Sequence, residues 1–265
     1  MPPRAGLAQN SGKPLDPAFM DIVYPLLAAL AAYLIGSLSF AVIVSRVMGL
    51  KDPRTYGSGN PGATNVLRSG SKSAALMTLL LDALKGFAPV FVVAQFGASY
   101  GLREGSVALV ALAAFVGHLW PVFFRFRGGK GVATAAGVLF GLNPLLALAT
   151  LATWAVIAVL FRYSSLAAIV SAVCAPFYQM LIWGGGPPAV AVTIMGLLLL
   201  WRHGGNIQKL LAGTESKLGQ KAGAAVVAGG GAHAGSRAHP HARKSGHKAD
   251  HRHDRGRDHQ HGAKP

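Results

Sequence analysis

Three separate stretches of this chain gather the residue types that handle anions. The first reads Gly57-Ser58-Gly59-Asn60-Pro61-Gly62-Ala63-Thr64-Asn65-Val66-Leu67-Arg68. Its glycines and proline let the backbone bend tightly and bring N–H groups close to a ligand. Ser58, Thr64 and Asn65 add short hydrogen-bonding side chains, and Arg68 adds a planar donor fork suited to phosphate or carboxylate. The stretch is too rich in glycine and small polar residues to be expected as helix or strand. The second reads Arg125-Phe126-Arg127-Gly128-Gly129-Lys130-Gly131-Val132-Ala133-Thr134. Gly128, Gly129 and Gly131 around Lys130, just before a helical run, let backbone amides and an ammonium meet a phosphate at a positive helix end. The third runs from Trp201 to Glu215 and carries Arg202, His203 and Asn206. His203 and Asn206 are three apart and share one face of a helical turn. An imidazole there can take or orient a hydroxyl proton, and the amide can position the same substrate. The bland alternative is an interfacial histidine satisfied by water.

Two tempting motif matches fail. Gly57 to Gly62 fits G-x-G-x-x-G with Asp82 about 20 residues on, but a dinucleotide fingerprint needs a strand before the glycines. Here Lys51-Asp52-Pro53-Arg54 precedes them, and Asp82 falls inside an apolar run of membrane length. Around Lys130 the phosphate-loop pattern of nucleotide hydrolases fails too, because Phe124 stands at the first glycine and Gly131 follows the lysine. No acid is evidently placed to orient His203, so no Ser-His-Asp triad is implied.

The frame that must position these stretches is apolar. The chain has 265 residues, 52% hydrophobic and only 13% charged, against about 25% charged in a typical soluble domain. With several long uncharged runs, this predicts an all-α polytopic membrane protein of about seven transmembrane helices. Segment one runs from Ile22 to about Val44, and 23 helical residues reach roughly 34 Å. Segment two, about Ser73 to Phe96, is apolar except for Asp82 and Lys85, which are three apart and can pair. A charge at membrane depth is a functional candidate by default, but a structural ion pair accounts for this one. Segment three, about Gly105 to Phe124, ends near His118, which is expected to snorkel to the interface. Ala135 to Phe161 is broken at Asn143-Pro144 into a short segment four and a full segment five. Segment six runs from about Ser165 to Trp183. Segment seven, about Ala189 to Trp201, is short and must be extended by neighbours or bilayer thinning.

Seven crossings with the N-terminus outside put the C-terminus and all three polar stretches on the cytoplasmic face. Lys51, Arg54, Arg68 and Lys72 in the first loop agree with this. The net charge of +16 is read the same way, as positive-inside bias and attraction to anionic headgroups rather than nucleic-acid binding. Residues 1–20 read as a flexible leader, with Met20 an alternative start; the first apolar run is late and too long for a signal peptide. Residues 21–215 form the membrane domain, and 216–265 a disordered basic tail. Eight of the ten histidines lie in that tail. Without a fixed geometry they are expected to act as a polycation against headgroups rather than as a metal site. Cys174 stands alone in an apolar run and is expected to pack there.

In order and content, the segments Gly57–Arg68, Gly117–Thr134 and Arg202–Glu215 resemble the bacterial acyl-phosphate:glycerol-3-phosphate acyltransferase family. The likeness covers roughly residues 22–217. It implies transfer of a fatty acyl group from acyl phosphate to the 1-hydroxyl of glycerol 3-phosphate, giving lysophosphatidic acid and phosphate in phospholipid synthesis at the bacterial cytoplasmic (inner) membrane. No cofactor or metal is implied. Carried onto this sequence, Ser58 and Arg68 match the family's polar pair at the substrates' phosphates. Lys130 with Gly128, Gly129 and Gly131 matches its acyl-phosphate cradle, and His203 and Asn206 its third-motif pair, with Glu215 as a structural acid. The resemblance thus nominates Ser58, Lys130, His203 and Asn206 for catalysis, and Thr64, Asn65, Arg68, Lys72 and the three glycines for substrate binding. Arg125 and Arg127 flank Phe126 where a small residue and a lysine are usual, and Lys72 replaces an arginine; these departures bear on affinity rather than activity. The competing reading is a transporter or channel for a phosphate-bearing solute. It explains the cations and the break at Asn143-Pro144, but no internal repeat is visible and the polar residues cluster at one face.

Overall fold

The computed structural model describes residues 17–218, all within one compact unit, Met1–Ala228; a second unit, Gly229–Pro265, lies outside the described residues. Most of the expected leader and tail therefore fall outside them as well. No strand occurs among the described residues. The α-helices in chain order are α1 (Pro17–Gly36), α2 (Phe40–Val47), α3 (Ala63–Leu67), α4 (Lys72–Phe96), α5 (Glu104–Leu119), α6 (Val132–Leu142), α7 (Pro144–Phe161), α8 (Ser164–Tyr178), α9 (Pro187–Arg202) and α10 (Gly204–Leu211).

The stretches Lys72–Tyr100, Glu104–Phe124, Pro144–Phe161 and Ser164–Trp183 are each long and apolar enough to cross a membrane. Large apolar side chains such as Leu80, Leu109, Val159 and Leu181 stand exposed on them, as a lipid-facing surface requires. Two further candidates are bent pairs: α1 with α2 at 42°, and α9 with α10 at 56°. The eleven residues of α6 reach only about 16 Å, short of a bilayer core of roughly 30 Å. Of the seven expected crossings, four are thus single helices, two are bent pairs and one is short.

Several boundaries differ from the sequence reading for identifiable reasons. Segment one is not a continuous helix, because its ladder closes early as Ser37 N–H bonds the Tyr33 carbonyl and Leu38 N–H the Ile35 carbonyl. The first helix also begins at Pro17, before the leader's expected end. The glycine-rich first stretch contains the short helix α3, started by extended Gly62. The break at Asn143-Pro144 is found where expected: Asn143 Oδ1 accepts from the N–H groups of Leu145 and Leu146, and Pro144 needs no donor at the first helical position.

Close crossings between helices rest on glycine, the packing device expected where lipid supplies no hydrophobic drive between spans. A Cβ on Gly36 would overlap the Ala114 carbonyl of α5, and one on Gly137 of α6 would overlap the Ala83 carbonyl of α4. Gly137→Ala is therefore expected to cost about 1–3 kcal/mol. Its Tm in detergent should fall well below that of Gly185→Ala, where an added Cβ meets nothing. The main core, with Phe115, Leu119, Val138, Met195 and Leu199 at its centre, sits where these crossings meet.

Inside this frame the Asp82 carboxylate meets the Lys85 ammonium at 2.7 Å, as expected for an ion pair one turn apart. Lys85 Nζ also donates to the Leu38 carbonyl at 2.6 Å. It thereby satisfies a backbone oxygen that the break between α1 and α2 leaves unpaired.

Candidate functional site

A cavity of about 790 Å³ is bounded by all three polar stretches and by α6, α7, α8 and α9. Its walls change character along its length. Ser58, Arg68, Lys130, His203, Asn206 and Glu215 line the polar part. Leu139, Ala147, Ala175 and Val192 line an apolar part and belong to a buried cluster of their own.

The first stretch is built around Asn65, which is 2% exposed. Its Nδ2 donates to the carbonyls of Pro53 (2.6 Å) and Tyr56 (3.2 Å), and its Oδ1 accepts from the Ser58 N–H (3.0 Å). Asn65 borders the cavity, yet its amide is consumed in shaping the loop that presents Ser58. Gly57 sits at φ +60°, with the place of a Cβ already taken by Asn65 Oδ1, so only glycine serves there. Thr64 and Lys72 also line the cavity. Arg68 Nη2 donates to Ser216 Oγ, which brings the chain after α10 over this loop.

The second stretch is held by a clamp. Arg202 donates from Nη2 to the Gly128 (2.8 Å) and Gly129 (2.9 Å) carbonyls, and from Nε to Gly129 (3.1 Å). Its guanidinium, an anion candidate from sequence, is thus spent on backbone. Gly128 and Gly129 do not line the cavity; they turn their carbonyls to Arg202, while Gly131 and Lys130 face inward. Gly131 stands at φ +83° directly before α6, against the Phe115 ring. The first N–H groups of a helix lack internal partners, so the start of α6 and the Lys130 ammonium bring together donors of the kind that can meet an anion. Arg125 and Arg127 are exposed and lie outside the cavity wall. Burial is the main influence on Lys130 and pulls its ammonium pKa down to about 8, with Glu215 opposing.

In the third stretch His203 is buried at 2% exposure, not an interfacial residue bathed by water. Its Nδ1 lies 2.8 Å from the Leu199 carbonyl. A carbonyl only accepts, so Nδ1 carries the proton and Nε2 of the neutral ring keeps its lone pair. The backbone here plays the orienting part for which the sequence offers no acid. Asn206 Oδ1 accepts from Lys130 Nζ, and Asn206 Nδ2 donates to Glu215 Oε1 at 2.8 Å. Glu215 Oε1 also accepts from Ser165 Oγ at 2.8 Å. Ser165, Ser216 and Thr134 were not singled out by sequence. The only hint for Ser165 is its place beside a helix start, where serine is common as a cap. Leu218 N–H bonds the Arg162 carbonyl at 2.7 Å, so residues 216–218 belong with the cavity rather than with the tail.

His118 is not at the interface. It is 7% exposed, borders the cavity, and places Nδ1 at 3.0 Å from Thr134 Oγ1. No cluster of three or more His, Cys, Asp or Glu side chains fit to hold a metal occurs among the described residues.

Comparison with known proteins places the chain in a family. Residues 26–213 match the family described as glycerol-3-phosphate acyltransferase. The chain is 59% identical over 209 residues to a glycerol-3-phosphate acyltransferase of Paraburkholderia phytofirmans, covering 78% of this chain and 98% of that one. It is 62% identical over 200 residues to one of Ralstonia nicotianae, covering 76% and 97%. Among solved structures, it resembles the glycerol 3-phosphate form of PlsY, an integral membrane glycerol 3-phosphate acyltransferase. The TM-score is 0.69 at 37% identity, over 74% of this chain and 96% of that one. The lysophosphatidic acid form of PlsY gives a TM-score of 0.67 at 36% identity, over 73% and 95%.

Proposed function

This chain belongs to the glycerol-3-phosphate acyltransferase family, and from that premise we propose how its cavity works. As a glycerol-3-phosphate acyltransferase it moves a fatty acyl group onto the 1-hydroxyl of glycerol 3-phosphate. The donor is an acyl phosphate, and the products are lysophosphatidic acid and inorganic phosphate. One observation carries this reading: a single cavity joins a cationic, amide-rich end to an apolar end. A lipid chain bearing a phosphate needs both.

An acyl phosphate is already activated, because phosphate is its leaving group. Alignment of the two substrates alone is worth about 7–11 kcal/mol. Lys130, Arg68, Ser58 and the start of α6 hold the phosphates, while Lys72 and Thr64 border the same end. The hydroxyl of glycerol 3-phosphate attacks the acyl carbon directly, its proton passing to Nε2 of His203 or to a substrate phosphate oxygen. Ser58 acts as a hydrogen-bond partner rather than a nucleophile: its Oγ is contacted by the Asn60 N–H at 3.4 Å and by no imidazole among the described residues. A nucleophilic serine needs such a base.

The protein is a multi-pass membrane protein, and we place the cavity's polar end in the bacterial cytoplasm. Lys51, Arg54, Lys72 and Lys209 lie at that end, whereas the opposite turns carry only Arg103 with Glu104. The basic residues beyond 218 supply further cationic surface for anionic headgroups.

The test is phosphate release by purified protein given palmitoyl phosphate and glycerol 3-phosphate, with lysophosphatidic acid identified by mass. Release that requires both substrates is expected. Activity with an acyl thioester but none with palmitoyl phosphate would sink the donor assignment. Uptake of labelled glycerol 3-phosphate into sealed vesicles without acyl phosphate would favour transport instead.

A further inference from the structure

His118 lies outside the functions assigned above, yet the loop that carries Lys130 leans on it at three points. The His118 carbonyl accepts the Gly129 N–H at 3.3 Å. The same carbonyl fills the space where a Cβ on Gly128 would stand, and the ring's Nε2 fills that space at Gly129. The two glycines are therefore pressed against His118, with the Leu119 carbonyl beside it at Gly128 and the Pro61 carbonyl at Gly129, and any larger residue at either position would push the loop away.

The ring is itself anchored from below. Its Nδ1 is held by Thr134 Oγ1 on the first turn of α6 at 3.0 Å, and Asp82 Oδ1 lies 3.8 Å from the same nitrogen. Asp82 is in turn paired to Lys85, which reaches the Leu38 carbonyl in the break between α1 and α2. Thr134 belongs to the helix whose N-terminus faces the cavity, so one imidazole joins the glycine loop to the first turn of α6. The Arg202 clamp restrains the loop's carbonyls from the other side.

We propose that His118 is a positioning residue: its ring fixes the direction in which the Lys130 loop runs into α6, and so the geometry with which the lysine and the helix start meet a substrate phosphate. The proposal rests on the acyltransferase reading above. Its chemistry is recognition rather than proton transfer, since Nδ1 is engaged with Thr134 and Nε2 packs against Gly129.

The test compares wild type with His118→Ala, His118→Asn and Thr134→Val in detergent. KM and kcat are measured for palmitoyl phosphate and glycerol 3-phosphate, alongside the folded fraction and Tm. A residue that only supports the fold would lower the active fraction and leave KM unchanged. A displaced loop weakens phosphate binding, so His118→Ala should raise KM for at least one substrate about tenfold. Asparagine can still offer an amide to Thr134, and His118→Asn should stay within about threefold of wild type. Thr134→Val keeps the shape at that site and removes the ring's partner. It should raise the same KM about threefold or more, and it serves as the test if His118→Ala does not fold. Wild-type KM in both Thr134→Val and any folded His118→Ala would overturn the proposal. A KM in His118→Asn as high as in His118→Ala would overturn it too. Absence of glycerol-3-phosphate-dependent release in wild type would instead overturn the acyltransferase reading itself.

Discussion

Lys130→Ala is expected to lower kcat/KM for glycerol-3-phosphate-dependent phosphate release by about 100- to 1,000-fold, the loss typical of removing one oriented donor to developing negative charge. Three features put Lys130 above the other cations. It borders the cavity at the start of α6, where helix N–H groups point the same way. Its ammonium is oriented by Asn206, which Glu215 holds in turn. It is also largely withdrawn from water, which strengthens its field on a bound anion. Arg202, by contrast, is tied to two backbone carbonyls, and Arg125 and Arg127 are exposed.

A pH dependence follows with a definite sign. Burial lowers Lys130 to about 8, so the ammonium, proposed above to hold a substrate phosphate, is present below that pH and lost above it. Activity should fall as pH rises through about 8, with the limb in kcat displaced upward because bound phosphate favours the charged form. Stability moves the other way. A lysine whose folded pKa lies below its unfolded value leaves the unfolded chain binding more protons between the two values. Stability therefore rises with pH across that window, from about 8 toward the ordinary lysine value of roughly 10.4. Loss of activity near pH 8.5 with an unchanged or higher Tm would separate titration from unfolding; loss of both together would contradict this account. Lys130→Arg, charged at every accessible pH, should lack the limb.

Breaking the buried pair in α4 has the second large effect. Asp82→Leu or Lys85→Met alone should destabilise the protein by about 3–5 kcal/mol, because each leaves an uncompensated charge in the membrane-embedded core. Asp82 is 2% and Lys85 3% exposed, so a remaining partner is held largely out of water. The double variant should recover much of the loss, since replacing a whole buried pair with apolar groups is often neutral or better. A deficit remains, because the Leu38 carbonyl loses the Lys85 donor. Thermal denaturation of the four proteins in one detergent gives the cycle. Single variants as stable as wild type would mean that water or lipid headgroups reach the pair.

Much of this protein was written locally. Uncharged runs of bilayer length mark the spans, Asn143-Pro144 marks the break between α6 and α7, and the Asp82–Lys85 spacing marks a pair on one helix face. The three polar stretches, in their order, carry the family. Such features depend on periodicity and neighbouring residues, which a sequence records directly.

What a donor or acceptor does with its hydrogen bonds depends on a partner from another part of the chain, and spacing holds no trace of that. Arg202 and Asn65 have the chemistry of ligand-binding groups but are spent on the carbonyls of Gly128, Gly129, Pro53 and Tyr56. His118 ends a span and reads as interfacial, yet α6 and the glycine loop close over it. The bend between α1 and α2 is tolerated because Lys85, from a different helix, caps an open carbonyl. Ser165 and Ser216 enter the cavity wall only because Glu215 and Arg68 reach them across the fold. Residue types and their order along the chain state which chemistry is present and in what frame. Which polar groups face the cavity and which hold its walls is settled by the fold, because buried polar groups must be paired and their partners are chosen by packing.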